Sequence, residues 1–197
     1  MEDSMERRPL VCLSASGSWY GSVIREMTHS NVNHAFIAYY DEAWGGWQAL
    51  QTDERGVVEV TMESLHHKYV ECYDFKYVDL LTALPSVREL IGDKYDYWGI
   101  VGQLLKLAVW RIAGRKILNP LHRSGELFCS EFCTTFLQRV CSAPAWINYL
   151  HPSNVAPGGK EKFLGTLSLQ EVFADNSEDV QRVPCPWRSD HDDEKNS

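Results

Sequence analysis

The stretch from Asn33 to Gln51 constrains the fold more than any other part of this chain. The run His34-Ala35-Phe36-Ile37-Ala38-Tyr39-Tyr40 carries strand-favouring apolar residues at both parities, the pattern of a strand covered on both faces. Asp41 to Gly46 is turn material closing on Gly45-Gly46, and Trp47 to Gln51 resumes the strand pattern, so the two runs predict an antiparallel hairpin. His34 stands at its entrance, and Gln48 is expected to come back toward that same end. Pro9 to Leu13, Gly56 to Val60 and Val70 to Tyr77 read as further strands, and Trp19 to Met27 as a short helix.

The second half changes period. Helical patterns run over Pro85 to Ile91, Trp98 to Ile112 and Cys129 to Cys141, each bounded by Gly, Pro or Asn. Strands followed by segregated helices predict an α+β domain, an antiparallel sheet packed against the helix that begins at Cys129. At 197 residues and 44% hydrophobic the chain has the size of one globular domain, assigned here to residues 1–172. Residues 173–197 are polar and acidic and are expected to form a loosely ordered tail.

Charge and cysteine usage narrow the functions. A formal net charge of −8 without a Lys/Arg cluster of the phosphate-binding kind argues against nucleic acid as a partner. Met1 to Leu10 has no apolar run, so no secretory leader or anchor is expected there. Trp98 to Ile112 is broken by Gln103, Lys106 and Arg111 and is shorter than the ~20 residues of a membrane span. The six cysteines (12, 72, 129, 133, 141 and 185) form no Cys-x-x-Cys pair, which favours free thiols in a reducing compartment. Phosphate loops, paired metal ligands and Gly-x-Ser-x-Gly elbows are missing from the sequence, and no cofactor or metal is implied. The expected location is the cytoplasm or a larger particle in which the chain is carried.

One cysteine has a chemical address. Cys129 follows the polar loop Leu121 to Glu126 and stands where the helical pattern Phe132, Phe136, Val140 begins. The unpaired N–H groups of a helix start stabilise an anion, so a thiol there is expected to ionise below its free value of ~8.5 and to have oxyanion donors beside it. Of the seven histidines (29, 34, 66, 67, 122, 151 and 191), only His34 has a fixed position, at the start of a strand. Gln48 on the neighbouring strand is positioned to accept one ring N–H and leave the other nitrogen as the base.

These residues, in this order, resemble the circularly permuted NlpC-type branch of the papain-like cysteine hydrolases, which includes YiiX-type and lecithin:retinol acyltransferase-like enzymes. The resemblance is carried by Thr28-His29-Ser30 leading to Asn33-His34-Ala35-Phe36-Ile37, Trp47-Gln48-Ala49 with Arg55-Gly56-Val57, Lys94-Tyr95-Asp96-Tyr97, Phe128-Cys129-Ser130-Glu131-Phe132 and the Pro152-to-Pro157 segment. It implies a permuted papain-like fold, Cys129 as nucleophile, His34 as base, Gln48 as orienting residue and Tyr95 as a substrate-lining side chain. One departure stands out. That third position is often His or an acid in such proteins, whereas Gln carries no charge and stabilises an imidazolium less.

The chemistry implied is acyl transfer through a thioester: a thiol peptidase or amidase cleaving a peptide bond, cell-wall peptides included. A lipid acyl hydrolase or acyltransferase of the same fold is the first alternative, kept open by the Trp98 to Ile112 helix. A non-catalytic binding module, a component of a larger assembly, is the second.

Overall fold

The computed structural model describes residues 7–17, 19–67, 69–118, 120–121, 126–160 and 167–187. Around the hairpin, β2 (His34–Asp41) and β3 (Gly46–Asp53) pair from Phe36↔Gln51 to Asp41↔Gly46. The antiparallel sheet extends on one side through β4 (Gly56–Thr61), and on the other through β1 (Leu10–Ser14) and β5 (Val70–Phe75). Two short strands, β6 (Lys94–Tyr95) and β7 (Glu126–Leu127), pair in parallel outside it. The sixth strand of the main sheet, β8 (Val180–Val183), lies antiparallel to β5, so the order is β4-β3-β2-β1-β5-β8.

Both faces of the central strands are covered, which is why β2 shows no alternation in sequence. On one face Ala35 and Ile37 pack with Val11, Leu13 and Leu50 against Phe132, Phe136 and Leu137 of α4 (Cys129–Gln138). On the other, Phe36 and Ala38 join Cys12, Ala49 and Met62. Phe132 and Phe136 are fully buried, and each contributes about 1.5–3 kcal/mol by leaving water.

The remaining helices are α1 (Trp19–Thr28), α2 (Leu84–Arg88), α3 (Tyr97–Ala113) and α5 (Leu169–Asp175). The β6–β7 pair sets where α3 and α4 start, since each helix begins just after one of its strands. At α3 the cap is Asp96, whose carboxylate accepts the Gly99 N–H at 2.6 Å. A Cβ at Gly99 would sit 2.1 Å from that carboxylate, so the cap needs glycine three residues on. Gly56 (φ +105°) is held as tightly: a Cβ there would meet the Asp93 carbonyl, which accepts the Val57 N–H.

Two expectations are corrected here. The boundary at residue 172 falls inside α5, and residues 173–187 are not a loose tail: Val180 is buried and β8 completes the sheet. Only its exposed Gln181 and Arg182, typical of an edge strand, gave it a polar look. The rest of the expected tail, residues 188–197, lies outside the described residues, as do His122 and His191. The second correction concerns the thiols. Cys72 and Cys185 form a disulfide across a separation of 113 residues, with Cα atoms 5.7 Å apart, while Cys12, Cys129, Cys133 and Cys141 are free. Among the described residues no helix is long and apolar enough to cross a membrane.

Candidate functional site

A cleft of about 420 Å³ opens at the end of the sheet where the β2–β3 ladder stops. His34, Gln51, Tyr95 and Cys129 all line it. Each is brought there by a different device. His34 is the first residue of β2, and its neighbour Asn33 is pinned by hydrogen bonds to Ser16 and Arg25, which tie the β1–α1 loop to the strand. Tyr95 is delivered by the parallel β6–β7 pair.

Cys129 is the first residue of α4 and is only 6% exposed. Burial pushes its thiol up to about 11, against the opposing pull of backbone hydrogen bonds from Ala35, Ser130 and Cys129 itself. The expectation of a thiol ionising below ~8.5 is thereby corrected: desolvation outweighs the helix start. Among the described residues no hydrogen bond joins the sulfur to the His34 ring.

His34 is buried, and that burial lowers its pKa below 6.5, with the Gln51 hydrogen bond and the Asp53 carboxylate pulling the other way. Its Nε2 lies 2.8 Å from Oε1 of Gln51. The amide oxygen can only accept, so Nε2 carries the hydrogen and Nδ1 holds the free lone pair.

Gln51, not Gln48, is therefore the residue that orients His34. Gln48 pairs with Tyr39, five residues along β2 from His34, and has the opposite parity to Gln51. Side chains alternate across a strand, so Gln48 points to the face that α4 covers and Gln51 to the face that His34 shares. Asp53 has the same parity as Gln51 and is gripped by the Arg55 guanidinium, 2.5 Å at the shortest contact. The negative charge that glutamine lacks stands two residues further along the same strand.

Other lining residues had no signal in the sequence. His67, one of the histidines without a fixed position in the sequence, packs edge-on against the His34 ring with centroids 5.2 Å apart, and its Nδ1 lies 2.8 Å from Ser14 Oγ. Lys106, on the inner side of α3, is buried and reaches the Asn154 carbonyl and side-chain oxygen at 3.4 and 3.2 Å; burial lowers its pKa to about 8. The chain after α4 folds back through a 3-10 turn, Pro152–Asn154, and Ser130 Oγ donates to the Val155 carbonyl at 2.6 Å, so the Pro152-to-Pro157 segment walls the cleft beside Cys129. Glu131, in the first turn of α4, has its carboxyl pushed up to about 8 by burial and by the nearby Asp96.

The described residues bring together no group of three His, Cys, Asp or Glu side chains able to hold a metal ion. Compared with known proteins, the chain matches no family model, no curated protein and no solved structure.

Proposed function

We propose that this protein is a cysteine acyl hydrolase that cleaves an amide or peptide bond through a thioester on Cys129. The observation that carries the reading is the shared lining of one cleft by Cys129, at the start of α4, and by an imidazole, His34, whose Nε2 is already engaged by Gln51. A nucleophile, a base with one nitrogen committed and a group that commits it share one cleft.

At neutral pH both partners rest uncharged, because burial raises the thiol and lowers the imidazole. The proton then moves with attack rather than before it. As the sulfur adds to the substrate carbonyl, His34 Nδ1 takes the thiol proton and the carbonyl oxygen becomes an oxyanion near the start of α4. Collapse of the adduct breaks the carbonyl–nitrogen bond, and the imidazolium returns the proton to the departing amine. Water, deprotonated by His34, then adds to the thioester and releases the acid and the thiol. Gln51 holds the ring throughout, and Asp53 favours the imidazolium electrostatically.

A second reading, hydrolysis or transfer of a lipid acyl group, is favoured by the apolar side chains that line the cleft, among them Leu65, Leu104, Leu107 and Phe128. The two share one intermediate. Incubation with an activated acyl ester and with a peptide amide, followed by intact-mass and peptide mapping, is expected to find the acyl group on Cys129 and nowhere else. The Cys129→Ala variant should lose it, and His34→Ala should slow its formation by about 10²–10⁴-fold. Turnover undiminished in Cys129→Ala would remove Cys129 from the chemistry, and no acylation of Cys129 by either substrate would leave a non-catalytic binding module instead.

A further inference from the structure

The face of α3 turned away from the cleft is apolar and in solvent. Trp98, Val101 and Leu105 are each about half exposed and Ile112 is 87% exposed, a stripe at the 3- and 4-residue spacing of one helix side. The stripe continues past the helix end: every residue from Arg111 to Leu118 is exposed, including Ile117 and Leu118. A contiguous apolar surface of this kind marks an interaction site on a soluble domain.

Charge says what it meets. Residues 97–125 contain five Lys or Arg and no Asp or Glu, in a chain whose net charge is −8. Arg111, Arg115 and Lys116 stand exposed among Ile112, Ile117 and Leu118. An apolar helix stripe with Arg111 beside its end, followed by an exposed segment in which Arg115 and Lys116 adjoin Ile117 and Leu118, is the chemistry of a chain lying in the interface of an anionic bilayer, apolar side down and basic groups among the headgroups. An anionic protein partner would complement the positive charge but would not call for an apolar stripe running the length of the helix. The same helix contributes Leu104, Lys106 and Leu107 to the cleft from its opposite side.

We infer that α3 and the segment to Leu118 form a peripheral docking surface for an anionic lipid bilayer, with the helix lying along the membrane and the cleft mouth beside it. The inference goes beyond the proposed hydrolase chemistry and does not require it.

Sedimentation of the full chain with sucrose-loaded vesicles tests it. Binding is expected to phosphatidylcholine vesicles containing phosphatidylserine, to fall with added salt, and to be weak on phosphatidylcholine alone. Replacing Val101 and Leu105 together by Glu should abolish it. Ile112→Glu is the second variant, at a position with so little packing that folding is not at stake. Reversing Arg111, Arg115 and Lys116 to Glu should weaken binding roughly 100-fold or more.

Acylation of Cys129 by a soluble ester should be unchanged in all three variants, and Cys129→Ala should sediment like the unmodified chain. If acylation fails while sedimentation holds, the hydrolase reading falls and the docking surface stands. Equal partitioning of wild type and Ile112→Glu, or binding blind to phosphatidylserine, would overturn the inference. A concentration-dependent dimer in sedimentation velocity that Ile112→Glu dissociates, with no vesicle binding, would give the face to a second copy instead.

Discussion

At the scale of single residues the site turns on which glutamine holds His34. Deleting a hydrogen bond to a group that becomes charged costs about 1.5–3 kcal/mol, so Gln51→Ala should lower kcat/KM by roughly 10–150-fold. Gln48→Ala, on the other face of β3, should leave kcat/KM within about 2-fold of the original. Equal losses from both substitutions, or a loss confined to Gln48→Ala, would count against this arrangement. Burial lowers His34, and the neutral ring is the base, so the acidic limb of the kcat/KM profile should fall below pH 6.5. The same shift sets a sign for stability. A ring that protonates less readily when folded binds fewer protons than in the unfolded chain, so stability should decline as pH drops from 6.5 through the folded value. The choice between Gln48 and Gln51 was not legible in the sequence because both lie on one strand, and the register that selects between them is fixed by how Asp41–Gly46 closes the hairpin. His34 and Cys129 were legible as side chains at the ends of elements. The buried state of Cys129 was not, since it depends on loop Pro152–Pro157, remote in sequence.

Elements were read better than their ends. α3 and the β2–β3 hairpin stand within a residue or two of their expected bounds, because periodicity and turn residues are local, while α4 begins where expected and stops three residues short of Cys141. The small parallel pair β6–β7 had no such signal, being two residues on each side, yet it fixes where two helices begin. Its neighbour Asp96 offers a test at this scale. Asp96→Ala removes the α3 cap and should lower stability by about 1–2 kcal/mol in urea denaturation, with Asp96→Asn largely restoring it. If α3 were held by packing alone, the alanine variant would unfold at the original urea concentration. The same variant also removes a carboxylate from beside Glu131, and so should relieve part of the upward push on that carboxyl.

For the whole molecule, the larger surprises join residues far apart in sequence. The disulfide closes a loop spanning 113 residues, and in the chain-entropy account such a link is worth about 4–5 kcal/mol. Reduction, or Cys185→Ser, should therefore lower the unfolding free energy by that much, and thiol counting after unfolding should find two more reactive sulfurs with reductant than without. Identical counts under both conditions would remove the link from the account. No spacing rule identifies a pair so distant, and thiols without a regular pattern read as free. β8 escaped for a related reason, since two of its four residues face solvent and the pairing that orders it lies more than a hundred residues upstream. That placement has a consequence for synthesis. A nascent chain emerging from the ribosome can assemble five strands early, but β5 keeps a bare edge until Val180–Val183 have emerged. A product stopped just after Asp175 would keep that edge for good, open to pairing with strands of other chains and so to aggregation.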